Sequence, residues 1–168
     1  MSMNYRKAIV LFVIAFLVQT SLLNVIMIKD YTPNLLLCLV VTISFLYENK
    51  TYGIVLGAIF GVLYDVCFST FVGPTALCLV IVAAFILLVR ETVNIENIIN
   101  MWVVATISIA VYYVLNWLLI HLTGNPLGIL YMLTKLPGEY IYSIIIITIL
   151  YLILLRLSDR HHRDRHFR

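Results

Sequence analysis

The stretch TYGIVLGAIFGVLYDVCF, residues 51–68, sets the fold class of this chain. It carries a single charged residue, and a largely apolar run of 18 residues is long enough for one helical crossing of a bilayer. Gly53, Gly57, Gly61 and Asp65 recur every four residues, so they share one face of that helix. A face of small residues lets another helix approach closely. The pattern predicts a tight crossing, and we favour a helix of the same chain over a partner protein as the neighbour.

The rest of the chain is similar in composition. Of 168 residues, 63% are hydrophobic and 11% are charged, which excludes a soluble globular fold. This length has room for roughly six crossings of about 20 residues each. We predict one all-α membrane domain over 1–168, with helices at about 8–28, 33–47, 51–68, 74–89, 101–122 and 137–157 and a basic cytoplasmic tail at 158–168.

Basic residues predict the orientation. The second and fourth runs are short, so a re-entrant hairpin is an alternative for each. The distribution of lysine and arginine favours six crossings with both termini cytoplasmic, because of all these basic residues only Lys29 and Lys135 would then lie outside. The second, fourth and sixth helices should each start on the outer side with a proline in the first turn, at Pro33, Pro74 and Pro137.

Asp65 lies about 21 Å along its helix from Thr51, toward the outer leaflet, where an acid should not face lipid. It could accept hydrogen bonds near Tyr64, from a helix start after Pro74 or from the outer loop, or it could be a proton or substrate site. No second buried acid or counter-ion is evident, so a structural or docking role is favoured.

Other polar groups are weaker candidates. Two polar patches are predicted near the outer side: Gln19, Thr20, Ser21 and Asn24 form one, and Asn116 with His121 forms the other. Each patch predicts either hydrogen bonds between helices or an outward-facing pocket for a ligand or lipid. The apolar run 129–133 could lie along the outer leaflet. The arginine-rich tail is expected to be disordered, to hold orientation and to touch anionic lipid. A metal site at its histidines, His161, His162 and His166, is a minor alternative, because the neighbouring arginines repel a cation.

No motif for chemistry is present. Cys38, Cys67 and Cys78 are isolated, and the sequence has no HExxH, GxSxG or Walker pattern. We expect no catalytic residue, cofactor, metal or nucleic-acid partner, and hence no enzyme.

Part of the chain resembles a known family, that of the rod shape-determining protein MreD. The resemblance is carried by Pro33-Asn34-Leu35-Leu36-Leu37, Tyr52-Gly53, Gly57, Gly61, Leu63-Tyr64-Asp65, Gly73 and Ala76-Leu77. It implies a scaffolding subunit of the bacterial inner membrane in the cell-elongation complex. Its partners would be MreC, MreB and the peptidoglycan synthases of the lateral wall, besides membrane lipids.

The same resemblance implies a fold similar to the substrate-binding subunits of energy-coupling-factor transporters. The positions that match the family pattern become candidates for helix packing or partner docking: Pro33, Asn34, Gly53, Gly57, Gly61, Tyr64, Asp65 and Gly73. A vitamin-binding transporter subunit is the alternative function. Such subunits dock through alanines four apart on the first helix, whereas Ala8 and Ala15 are seven apart here. A small channel or carrier would need more polar residues near the midplane than Asp65 alone.

Overall fold

A computed structural model describes residues 5–21, 33–47, 51–69, 71–95, 97–122 and 129–163, and over these ranges the chain is helical without strands. The six helices are α1 (Tyr5–Ser21), α2 (Leu35–Leu46), α3 (Thr51–Phe68), α4 (Pro74–Arg90), α5 (Ile98–Leu122) and α6 (Ile129–Arg163). The all-helical architecture predicted from composition is therefore confirmed for the described part of the chain.

The shortest helix, α2, lies at the centre of the bundle. Its 12 residues span about 18 Å, less than the apolar thickness of a bilayer. Every residue from Leu36 to Leu46 is buried, as expected for an apolar helix of this length that serves as a core element. The other five helices all pack against α2, and around it α3 contacts α1 and α4, while α5 contacts α4 and α6.

The outside of this ring is apolar. Large hydrophobic side chains are exposed on all five surrounding helices, among them Val10, Val66, Leu88, Val103 and Ile141. A continuous apolar exterior of this kind is suited to acyl chains rather than water. Three helical segments are long and apolar enough to cross a membrane: Thr51–Phe68, Ile98–Leu119 and Leu136–Arg156.

The glycine face of α3 packs between α2 and α4. A Cβ atom on Gly53 would overlap the Oγ atom of Ser44 in α2. A Cβ atom on Gly57 would lie 3.2 Å from the Val40 side chain, and one on Gly61 would lie 2.5 Å from the Ala76 Cα atom in α4. The first two contacts are with side chains, whereas the third is with backbone. The crossing of α3 and α4 is therefore closest at Gly61.

The three prolines behave differently from one another. Pro74 is in the first turn of α4, as predicted. Pro33 precedes the helix instead, because Asn34 is the N-cap residue of α2. The prediction that α6 starts at Pro137 is wrong: the helix starts at Ile129 and continues through this residue. Membrane helices tolerate an internal proline when surrounding groups satisfy the freed backbone carbonyl.

The longer α6 changes two other expectations. The run 129–133, expected along the outer leaflet, forms the first turns of α6, and the predicted disordered tail is helical as far as Arg163. At 35 residues α6 is about 52 Å long, which exceeds an apolar core of about 30 Å. Residues 22–28 of the first predicted helix and the tail beyond 163 lie outside the described residues.

We expect Gly61→Ala to lower the free energy of unfolding by about 1–3 kcal/mol, because the new methyl group meets α4 backbone that cannot rotate away. Gly57→Ala should change it by less than about 1 kcal/mol, since the gain in helix propensity offsets contact with a side chain that can adjust. Thermal unfolding of the detergent-solubilised variants checks this order. Equal stability of Gly61→Ala and the unmodified chain would contradict the close crossing.

Candidate functional site: a polar network at the outer helix ends

The Asp65 carboxylate is fully buried and accepts hydrogen bonds from four groups. Its Oδ1 atom accepts from the Ser69 hydroxyl at 3.1 Å. Its Oδ2 atom accepts from the backbone N–H groups of Gly73 and Thr75, both at 2.9 Å, and of Ala76 at 3.4 Å. The acid of α3 therefore binds the first turn of α4.

This arrangement replaces a missing N-cap side chain. The N-cap residue of α4 is Gly73, which has no side chain to bind the free N–H groups that begin every helix. Its φ angle of 119° is also one that side-chain-bearing residues rarely adopt. Asp65 supplies the acceptor from a neighbouring helix, and its negative charge lies at the positive end of the α4 dipole.

The start of α2 is capped in a related way. The Asn34 side chain accepts from Leu37 N at 3.0 Å, in the usual N-cap manner. The Gln19 Oε1 atom of α1 accepts from Leu36 N at 3.1 Å. For Gln19, the structure thus supports a hydrogen bond between helices rather than the ligand pocket.

Tyr112 of α5 lies beside the two helix starts. Its hydroxyl accepts a hydrogen bond from the Asn34 Nδ2 atom at 2.9 Å and lies near the Thr75 side chain at the start of α4. We call five polar residues the outer polar network, after the side on which the sequence predicts them to lie: Gln19, Asn34, Asp65, Thr75 and Tyr112. They belong to or cap five different helices, α1 to α5, and they lie near one end of α1 to α4 and in the middle of α5.

At the opposite end of the bundle, two side chains bind backbone carbonyl groups. Arg90 at the end of α4 donates to the carbonyl of Tyr47, which ends α2. The Tyr151 hydroxyl of α6 donates to the carbonyl of Ile95, in the turn before α5, at 2.8 Å. The ends of α2 and α4 are therefore connected through the Arg90 side chain.

The eight candidate site residues all lie where helices start or pack. Gly53, Gly57 and Gly61 are buried and face α2 and α4. Tyr64 is half-buried, and its ring lies 5.3 Å from that of Phe68. The remaining four residues belong to the two helix starts: Pro33, Asn34, Asp65 and Gly73. Partner docking at any of the eight residues stays a prediction.

Sequence reasoning missed Thr75, Tyr112 and Arg90. Nothing in the pattern distinguishes Tyr112 from the other ten tyrosines, since its role depends on where α5 lies against two helix starts. Over the described residues, no group of three or more histidine, cysteine or acidic side chains could hold a metal ion.

The apolar exterior, the membrane-length helices and the polar groups that join helix ends define an all-helical membrane protein. The family model of the rod shape-determining protein MreD matches residues 3–160, and the chain therefore belongs to the MreD family. No curated protein and no solved structure matches it. The resemblance found at residues 33–77 thus extends over nearly the whole chain.

We expect Asp65→Leu to unfold the start of α4, because each buried N–H group left without an acceptor costs about 1–3 kcal/mol. Asp65→Asn should be much milder, since its amide oxygen can serve the three N–H groups while its NH₂ group donates to the Ser69 hydroxyl. Ser69→Ala is the matched control and should cost about 1 kcal/mol. Thermal unfolding in detergent tests the series, and equal loss in the Asn and Leu variants would show that the charge itself is required.

Tyr112→Phe should lower the free energy of unfolding by about 1–3 kcal/mol, because it leaves the part-buried Asn34 amide without its acceptor. Tyr5→Phe is the control: Tyr5 is 40% exposed, and the substitution preserves its ring contact with Tyr52. Unfolding curves measured side by side should separate the two, and identical curves would argue against a stabilising role for the Tyr112 hydroxyl.

Proposed function

We propose that this chain is a non-enzymatic, multi-pass subunit of the bacterial inner membrane that binds MreC and supports rod shape and lateral wall synthesis within the cell-elongation complex. The observation that carries the proposal is the MreD family match over residues 3–160. Contact with MreB and the peptidoglycan synthases would be direct or through MreC.

The geometry of the outer polar network supports scaffolding. Asp65 already accepts hydrogen bonds from Ser69, Gly73, Thr75 and Ala76, so its acceptor positions serve the fold rather than a substrate. A scaffold needs a surface whose shape is fixed before the partner arrives, because ordering mobile groups reduces affinity. The capped starts of α2 and α4 provide such rigidity at the outer end.

A candidate partner surface lies beside the start of α4. Large apolar side chains are exposed at this α3–α4 corner: Val66 (62%), Phe68 (54%), Phe71 (43%), Val72 (63%) and Leu77 (48%). The two residues of this set in the turn, Phe71 and Val72, lie between Ser69 and Gly73, both of which bind Asp65. We propose that the membrane helix or external stalk of MreC packs on this corner, where it would bury no charge.

The proposed topology has six crossings with both termini in the cytoplasm, and the short α2 crosses inside the ring of the other five helices rather than in contact with lipid. Positive charge supports it, since Arg6 and Lys7 open α1 while Arg90 and Arg156 lie toward the ends of α4 and α6. Two ring contacts support this proposal, because they join the start of α1 to the start of α3 and the end of α2 to Tyr151 of α6.

The alternative, a vitamin-binding transporter subunit, finds less support in α1. Ala8 and Ala15 are buried and lie on the face of the helix that packs into the core. They cannot at the same time form a small-residue surface for a coupling protein.

Complementation tests the proposal in a rod-shaped bacterium that lacks its own MreD-family protein. We expect the tagged chain to restore rod shape and to co-purify MreC from detergent-solubilised membranes. Phe71→Ser should reduce MreC recovery, whereas Leu88→Ser, which alters a 76% exposed side chain near the opposite end of α4, should not.

Expression of each variant is measured in the same membranes, so that loss of protein is not mistaken for loss of binding. Rod shape with undiminished MreC recovery in Phe71→Ser would exclude the α3–α4 corner. Recovery of a coupling ATPase or a vitamin, without MreC, would favour the transporter alternative.

A further inference from the structure

The turn that joins α3 to α4 is bound at both ends by one side chain. At its start, the Ser69 hydroxyl donates to the Oδ1 atom of Asp65 at 3.1 Å. At its end, the Gly73 N–H group donates to the Oδ2 atom of the same residue at 2.9 Å. Phe71 and Val72 lie between these two points and are exposed. A single buried carboxylate therefore fixes where the turn begins and where it ends.

The two oxygen atoms of this carboxylate serve different parts of the structure. The Oδ2 atom also accepts from the N–H groups of Thr75 and Ala76, so it caps α4. The Oδ1 atom accepts from Ser69, which is exposed and follows the last residue of α3. The last turn of α3 is already closed by the backbone hydrogen bond from Ser69 N to Asp65 O at 2.9 Å. The hydroxyl of Ser69 therefore adds little to either helix and instead holds the turn.

Gly73 sets the direction in which the chain enters α4. Its φ angle is 119°, whereas Asn34 at the matching position of α2 has a φ angle of −86° and caps its helix with its own side chain. In the described part of the chain, a Cβ atom on Gly73 would meet no atom within 4 Å, unlike one on any of the three glycines of α3. Packing thus does not require glycine at this position. The backbone direction does, because residues with a side chain rarely adopt this φ angle.

The turn leaves an apolar pair uncovered at the start of α4. The residue before an N-cap commonly packs against the fourth residue of the helix, and these positions are Val72 and Leu77 here. Both side chains are nevertheless exposed. Together with Phe71 they form an apolar surface of three side chains within the α3–α4 corner. The shape of this surface depends on the turn, since two of the three residues belong to it.

We propose that Ser69 and Gly73 are positioning residues for partner binding, which hold the turn so that Phe71 and Val72 meet an apolar segment of the partner already in the bound arrangement. The inference rests on the proposed function, since it concerns how the α3–α4 corner receives MreC. A surface that is ordered beforehand loses less entropy on binding. A protein that adopts its binding-competent form only part of the time binds more weakly by that fraction. Ser69 and Gly73 therefore act on the rate at which the complex forms, whereas Phe71 acts on its lifetime.

Binding kinetics test this division of roles. Full-length MreC and the full chain are purified in detergent, and the rates of association and dissociation are measured. Ser69→Ala should slow association about fivefold with dissociation unchanged, because the turn then adopts other arrangements for most of the time. Ser69→Thr keeps the hydroxyl and should restore the rate. Gly73→Ala should slow association at least as much as Ser69→Ala. Phe71→Ser should instead speed dissociation, since it removes a contact of the complex.

Thr92→Ala is the matched control. The Thr92 hydroxyl donates to the carbonyl of Val89 at 2.7 Å beyond the other end of α4, so this variant also removes an exposed side-chain hydrogen bond next to a helix end. It should leave both rates unchanged. Thermal unfolding shows which variants are folded, and if Gly73→Ala is not, the two Ser69 variants decide the outcome.

The proposal is overturned if Ser69→Ala associates as fast as the unmodified chain, or if Ser69→Thr associates as slowly as Ser69→Ala. Unchanged rates in Phe71→Ser would show that the α3–α4 corner is not the binding site, and the proposal would fail with it. Failure of the unmodified chain to bind MreC at all would instead contradict the proposed function.

Discussion

The fold depends on an acceptor that the first turn of α4 cannot supply for itself. This turn starts with glycine and proline, and Thr75 and Ala76 are buried, so no solvent is available to their N–H groups. The Asp65 carboxylate meets that need from α3. Because Ala76 also lies against Gly61, the hydrogen bonds and the closest helix crossing act on the same turn. Neither could be retained if α3 and α4 moved apart.

The outer polar network extends this constraint to other helices. The Tyr112 hydroxyl accepts a hydrogen bond from Asn34 and lies near Thr75, so α5 lies beside the starts of both α2 and α4. In an apolar environment a polar side chain has few partners other than protein. Polar residues in such a bundle therefore determine which helix ends meet, while the apolar residues determine how closely the helices pack.

Composition and helical period were enough to predict the class of the fold and part of the site. Hydropathy identified a helical membrane domain, the four-residue spacing identified the close face of α3, and the proline at 74 marked a helix start that Asp65 could bind. The start of the sixth helix is predicted wrongly because proline usually marks a boundary, whereas α6 continues through Pro137. Local sequence cannot show whether neighbouring groups will tolerate the lost N–H. Tyr112 and Arg90 were missed for a related reason, since their partners lie 78 and 43 residues away in the chain.

The central position of α2 has a consequence for biogenesis. This helix is synthesised second, but its 12 residues are too few to span the apolar core of a bilayer by themselves. It is covered completely only when α5 and α6, the last helices to emerge, have packed against it. Until α6 has been synthesised, α2 therefore lacks part of the protein surface that covers it in the final structure. The chain reaches its final arrangement by enclosing an early segment late, rather than by adding stable helices one at a time.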